Sequence, residues 1–398
     1  MKLHTPSVLS WRSALAAAFT AFWLLSSAYS QAPAKPKSIW QIQKVPLKGL
    51  AAVGVSADSA NDVWVVGNVG SLHFDGTKWT QIPVAKVNGD PGTGILLNSV
   101  VALSPSDVWT VGFFVNNGGL DNEVVQHFDG KAWSNVQDLN LVGKQLDGAT
   151  VLSEALVSIA ALSPADLWAS GYLLTQSGSQ QSLIPFIENF DGKTWSLSGA
   201  PLGSGSDIMV GVNGIAPVFD TDVWMTAFDD INGQDGQGEI FHFDGHTWSL
   251  FATADARAST LRAVVAISSS DVWAVGDQDD LTKTLIEHFD GNLWTIVPSP
   301  TPANTQDVEL WGVTAISSKD VWASGFDEGF DGKITPLILH WNGTKWSTVA
   351  APSEGTRSST TTFGIASVAP GDVWAAGSFL GNQLPFEQPF VLFTNRAK

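Results

Sequence analysis

The triplet Asp-[Val/Leu]-Trp occurs seven times along the chain, with its indole at Trp64, Trp109, Trp168, Trp224, Trp273, Trp322 and Trp374. Successive copies lie 45 to 59 residues apart. Self-similarity at that period means a tandem array of small units, each too small to bury its own hydrophobic face. Three residues after the tryptophan stands a glycine (Gly67, Gly112, Gly171, Gly276, Gly325, Gly377), replaced only by Ala227 in the fourth unit. A second pattern, Phe-Asp-Gly-x-x-Trp, follows in the first five units and ends at Trp79, Trp133, Trp195, Trp248 and Trp294. In the sixth it becomes Trp341-Asn342-Gly343 and ends at Trp346.

Each unit is predicted to form four short strands, lettered A to D. Strand A is a small and β-branched run such as Val157–Ser163, and strand B carries the Asp-Val-Trp. A variable stretch leads to strand C, which ends in His-Phe in most units, and strand D starts at the second tryptophan. Asp-Gly and Asn-Gly between C and D supply the positive φ that tight hairpin turns require. Four-stranded units of about 50 residues in tandem are propeller blades. The seventh unit stops after its strand C, while Trp40–Pro46 near the other end has the character of a strand D. The expected fold is therefore all-β: one seven-bladed β-propeller, rather than six or eight blades, its last blade completed by the N-terminal strand. Such closure leaves no open sheet edge.

On these motifs the chain resembles the kelch/galactose-oxidase-like propellers. The run DVWAVG…EHFDGNLW, residues 271–294, is the clearest instance. It is similar in particular to secreted bacterial propellers with DVWAVG…H(F/W)DGTxW repeats. Kelch units usually carry two adjacent glycines where this chain has one. The resemblance implies the fold and an exported bacterial protein; propellers host many unrelated activities, so it implies no reaction.

The first residues fit export. Lys2 and Arg12 precede the apolar run Ser13–Leu25, and Ala28-Tyr29-Ser30 is a small-x-small cleavage site, so residues 1–30 are predicted to be a signal peptide. Residues 31–38 form a Pro/Lys linker, and 39–398 the propeller. The sequence has 38 acidic against 20 basic residues, a formal charge of −18, and no cysteine. Without Lys/Arg clusters a nucleic-acid partner is excluded, and no membrane insertion is expected after signal cleavage. Absent cysteine removes thiolate catalysis, disulfides and the Tyr–Cys crosslink of galactose oxidases.

A-to-B and C-to-D turns fall on one face of a propeller, B-to-C and D-to-A segments on the other. The first set is uniform; the second varies, with 5 to 17 residues between the strand B glycine and the end of strand C in the first six units. Variable loops on a rigid frame are where binding resides. The repeated tryptophans are expected to pack between blades, the turn aspartates to cap turns, and His73, His127, His242, His288 and His340 to be structural. Two constellations remain on the variable face. One is a ring at the channel mouth, nine residues before each turn aspartate: Asn98, Asn213, Arg262, Trp311 and Phe363, with Val157 between. Amides, one cation and aromatics there suit an anionic or sugar-like ligand. The other is acidic, with Asp229, Asp230, Asn232, Asp235 and Glu239 in the fourth B-to-C segment. Asp277, Asp279, Asp280, Asp327, Glu328 and Asp331 follow in the next two. Oxygen ligands of this kind suit Ca²⁺, and no other cofactor is expected.

No nucleophile–base set can be named, so the favoured function is a monomeric, non-enzymatic binding protein that takes a protein or glycan partner on its variable face. The alternative is a carbohydrate-active or other small-ligand enzyme with a carboxylate-based site at the channel mouth.

Overall fold

The structure, a computed structural model, describes residues 38–398 apart from 47–50, 69, 93, 200–207, 232–233, 255–258, 279–280, 355–358, 381–386 and 396–398. Side chains at 208–210, 229–231, 234–236, 387 and 395 are likewise outside the description. The expected signal peptide and nearly all of the linker lie outside the described residues.

Seven antiparallel sheets hold every described strand, and the described residues contain no helix. In blades 1 to 7, strand A is Ala52–Ser59, Ile95–Ser104, Ala149–Ser163, Ile208–Phe219, Ser259–Ser268, Thr305–Ser317 and Thr360–Ala369. Strand B is Asp62–Gly67, Asp107–Val115, Asp166–Ser177, Asp222–Ile231, Asp271–Gln278, Asp320–Gly329 and Asp372–Leu380. Strand C is Gly70–Phe74, Asp121–Phe128, Gln180–Phe190, Gln234–Phe243, Lys283–Phe289, Ile334–Trp341 and Glu387–Asn395. Strand D is Trp79–Ile82, Trp133–Asn135, Trp195–Leu197, Trp248–Phe251, Trp294–Ile296, Trp346–Thr348 and, for blade 7, Trp40–Ile42. Each A strand packs against the A strands of both neighbouring blades, and that of blade 7 against blade 1, so the ring is closed. The molecule is a seven-bladed β-propeller. Closure occurs as expected: Trp40, Gln41 and Ile42 pair with Thr394, Phe393 and Leu392.

The repeated tryptophans build the blade contacts. In every blade the strand B indole meets the strand D indole of the next blade at steep angles, from Trp64–Trp133 through Trp322–Trp40 to Trp374–Trp79. Centroid separations are 5.5 to 6.4 Å. Edge-to-face pairs of this kind add roughly 0.5–1.5 kcal/mol beyond their buried area.

The histidines are structural, and the turn aspartates are their partners. In five blades the His stacks on its own strand B tryptophan, 4.1 to 4.4 Å between centroids. Its Nε2–H donates to the aspartate that opens strand B, as in His288 to Asp271 at 2.8 Å. In blades 2, 3, 5 and 6 the indole N–H donates to the same carboxylate. The expectation that these aspartates cap the A-to-B turn is thus corrected. A serine does so instead: Ser59, Ser104, Ser163, Ser268 and Ser317 accept from the amide two residues on. The C-to-D aspartates do cap their turn. Asp75, for example, accepts the Thr77 hydroxyl and the amides of Lys78 and Thr77, and those bonds, the hydroxyl's first, hold its pKa down at about 2.

The glycine after the tryptophan has a steric cause. A Cβ on Gly112, Gly171, Gly276, Gly325 or Gly377 would collide with a carbonyl oxygen of strand A, for instance that of Thr260 at Gly276. Blade 4 carries Ala227 here and places a glycine, Gly211, on strand A instead, where a Cβ would strike the Phe228 ring.

Candidate functional site

Besides a register shift beside its A-to-B turn, each strand A bulges at one equivalent inner position, between Ala52/Gly54, Leu97/Ser99, Leu156/Ser158, Val212/Gly214, Leu261/Ala263, Leu310/Gly312 and Thr362/Gly364. The extra residues are Val53, Asn98, Val157, Asn213, Arg262, Trp311 and Phe363. From blade 2 onward these are the ring singled out from the sequence. They lie inside strand A, which starts three to eight residues earlier in blades 2 to 7. A bulge leaves one residue out of the ladder and re-aims its side chain. All of these residues are half-buried.

Several of them reach the next blade. Asn98 Nδ2 donates to the Leu156 carbonyl and Asn213 Nδ2 to the Leu261 carbonyl, both at 2.7 Å. Arg262 donates from Nε to Asp277 at 2.9 Å and from a terminal nitrogen to Glu309 at 2.8 Å. Its guanidinium also lies over the Trp311 ring, 4.4 Å from the centroid. Trp311 in turn meets Phe363 edge-on, centroids 5.4 Å apart. The structure therefore brings Arg262, Trp311 and Phe363 together across blades 5, 6 and 7. Asn98 and Asn213 sit in other blades, each fastening its bulge to a neighbour.

Around Arg262 the electrostatics are negative. Asp277 is buried, and Glu309 is nearly so. Asp307, two residues before Glu309, is half-buried and one carboxylate oxygen has no hydrogen-bond partner. Burial first, then the charges of Glu309, Asp277 and Glu328, push the Asp307 pKa up to about 7, against the opposing pull of Arg262. Burial likewise raises Glu309. Asp307 can thus hold a proton near neutral pH beside carboxylates engaged by Arg262.

The acidic stretches expected as loops are largely strand. In blade 4, Asp229 and Asp230 continue strand B, paired with Val210 and Met209, and Asp235 pairs with Asp230 from strand C. Asn232 lies outside the described residues, as do Asp279 and Asp280. Glu239 is buried on strand C opposite Ala227. Asp327 and Glu328 belong to strand B of blade 6, while Asp331 caps its hairpin by accepting the Lys333 amide. Among the described residues no group of three His, Cys, Asp or Glu side chains is arranged to hold a metal ion.

One carboxylate cluster escaped the sequence reading. Glu123 on strand C of blade 2, Glu154 on strand A of blade 3 and Glu188 on strand C of blade 3 are all buried. Asp138, in the segment joining these blades, interacts with all three. The available signal was repeat register. Two residues before the aromatic that ends strand C, blades 1, 4 and 6 carry Leu72, Phe241 and Leu339, whereas blades 3 and 5 carry Glu188 and Glu287, so register marks a buried acid in blade 3 without separating it from that of blade 5.

Neither a family model nor a curated protein sequence matches the chain. Solved structures do. YCF48 bound to D1 peptide superposes with a TM-score of 0.55 at 13% identity, covering 92% of this chain and 99% of that one. The WD40 β-propeller domain of Doa1 gives 0.53 at 12% identity, over 91% and 98% of the two chains. An ulvan lyase of polysaccharide lyase family PL25 gives 0.55 at 8% identity, over 86% and 93%. At such identities the likeness is one of fold, and it extends over nearly the whole described chain.

Proposed function

We propose that the chain is an exported bacterial β-propeller of the kelch/galactose-oxidase-like group that binds a protein or glycan partner through its variable face, without catalysis. The contact centres on the channel side of blades 5 to 7. The observation that carries this reading is the grouping of half-buried Trp311 and Phe363 with Arg262, Asp307 and Glu309. An aromatic surface ringed by a few convergent polar groups is the usual form of a small-ligand or anchor-residue pocket. A protein of similar fold with a bound peptide, YCF48, supports a propeller's use in this way. The test is a glycan array and a peptide library probed with wild type and Trp311→Ala. Binding that survives the substitution at full strength overturns the placement; loss of all binding with an unchanged melting curve supports it.

A second reading is favoured by one specific observation. Asp307, with its pKa raised to about 7, has the protonation behaviour of a general acid, and Glu309 lies two residues along the same strand. A pair of carboxyl groups, one of them able to give up a proton near neutral pH, is the minimum for glycosidic bond cleavage. Reducing-end release from a polysaccharide panel, abolished by Asp307→Asn while binding persists, would establish the enzyme. Binding without turnover decides for the first reading.

A further inference from the structure

The seam between blades 2 and 3 carries a feature that ligand binding at blades 5 to 7 does not use. Residues alternate in a strand, so Glu123, Glu154 and Glu188 share faces with Val125, Leu156 and Phe186. Those three belong to the apolar cluster that joins the two blades, with Trp109 and Trp195. The three glutamates therefore sit at an interface otherwise filled by hydrocarbon and indole. Above them runs the insertion that connects the blades. Its backbone is fastened to the glutamates: Asn140 N–H donates to Glu123 Oε1 at 3.2 Å, and Leu141 N–H to Glu154 Oε2 at 2.7 Å. The same segment then turns back, with Gly143 N–H donating to the Val151 carbonyl and Gln145–Leu146 pairing with Ala149–Thr150 as a fifth strand.

These acids lack compensation. Glu123 Oε2 and both carboxylate oxygens of Glu188 are buried with no hydrogen-bond partner. The charged and titratable groups that face them are Asp138 and Lys144 from the insertion. Lys144 is exposed and donates its ammonium to the Leu139 carbonyl. Nearby, Asp121 on strand C of blade 2 accepts the Tyr172 hydroxyl from strand B of blade 3 at 3.2 Å. Four carboxyl groups converging in a seam with one solvent-side cation cannot all be ionised. A shared proton between neighbouring carboxyls satisfies an oxygen that no N–H reaches, and it removes the repulsion.

We infer that the seam of blades 2 and 3 is a proton-operated latch: shared protons among Glu123, Asp138, Glu154 and Glu188 hold the 136–148 segment down on the variable face, and their loss as pH rises releases it. The direction of titration agrees. Burial drives Glu123 and Glu188 well above the ordinary carboxylate range, and it raises Asp138. Glu154 is moved from 4.5 to about 7, again chiefly by burial. Groups with a raised native pKa bind more protons in the folded than in the unfolded state. Stability is then full below the unfolded value near 4.5 and declines as pH climbs through about 7.

The experiment compares wild type with Glu188→Gln and, as a second isosteric variant, Glu154→Gln. Cleavage after Lys144 by a lysine-specific protease is measured at pH 6 and at pH 8.5, always as the ratio of wild type to variant so that the protease's own pH dependence cancels. The latch predicts equal rates at pH 6 and wild type cut about tenfold faster at pH 8.5, one pKa unit being a tenfold change in population. Melting temperatures should fall with pH in wild type and fall less steeply in both variants. Equal cleavage rates at both pH values overturn the latch. So does wild-type protection at pH 8.5 restored by millimolar CaCl₂ alone, which would make the seam a cation site.

Discussion

Trp40 meets Trp322 edge to face, ring centroids 5.9 Å apart and planes at 89°, although one opens the described chain and the other lies in its sixth blade. The contact repeats what strand B and strand D indoles do at the six other blade junctions. The N-terminal strand is therefore held by the same side-chain packing as an internal strand D, in addition to its pairing with Leu392, Phe393 and Thr394. Non-covalent closure of a ring without cysteine depends on that equivalence.

Trp40→Ala should lower stability by about 3 kcal/mol, as Trp79→Ala should at the next junction, and unfolding should remain a single transition. Urea denaturation followed by tryptophan fluorescence checks both. A variant that melts like wild type would mean that the ring closes without its seventh strand D.

The Asp–His–Trp arrangement predicts unequal effects of one substitution. Asp271 accepts from both His288 and Trp273, so Asp271→Ala orphans two donors and should lose about 2–3 kcal/mol. Asp222 accepts from His242, while the Trp224 indole N–H has no hydrogen-bond partner. Asp222→Ala should therefore lose roughly half as much. Equal losses in chemical denaturation would show that the indole bond contributes nothing.

Gly276→Ala places a methyl group against the Thr260 carbonyl, an overlap with backbone rather than with a movable side chain. A loss of about 2–3 kcal/mol is expected. The fourth blade already carries Ala227, paired with Val212, so Ala227→Gly should change stability by less than about 1 kcal/mol. Paired denaturation curves of the two variants test the steric account.

Arg262→Ala leaves Asp277 and Glu309 without their shared cation in a buried setting, and should destabilise by about 3–5 kcal/mol. Adding Glu309→Gln to it should recover part of that loss, a coupling readable in a double-mutant cycle. Strict additivity would deny the ion pair a structural role. Binding experiments at this site are accordingly better built on Trp311.

Asp307 makes the same region pH-sensitive. Its native pKa of about 7 lies above the ordinary 3.8, so the folded state binds the extra proton and stability falls as pH rises between those values. Asp307→Asn should make the melting temperature fall less steeply across pH 4 to 8, the seam of blades 2 and 3 keeping its own share, and raise it at the upper end. An unchanged slope would place the titration elsewhere.

Tandem spacing and turn chemistry were enough to determine the blade count, the four strands of each blade, the use of a segment within Trp40–Pro46 to close the ring and the structural part played by the repeated tryptophans and histidines. These follow from local pattern, because every blade repeats the same hydrophobic alternation and the same Asp-Gly turn. The ring of Asn98, Asn213, Arg262, Trp311 and Phe363 was legible as a variable column in an otherwise uniform strand. Tertiary structure decided what those side chains do. A bulge re-aims each one, and Arg262 then finds Asp277 and Glu309 on two different strands. It also decided that Asp229, Asp230, Asp327 and Glu328 extend strands rather than loops, since hairpin length depends on pairing partners that composition does not encode. The buried acids Glu123, Glu154 and Glu188, with half-buried Asp138, were hidden most completely. They are spread over two blades and a connecting segment, and only the packing of one blade face on the next brings their charges into a common low-dielectric seam.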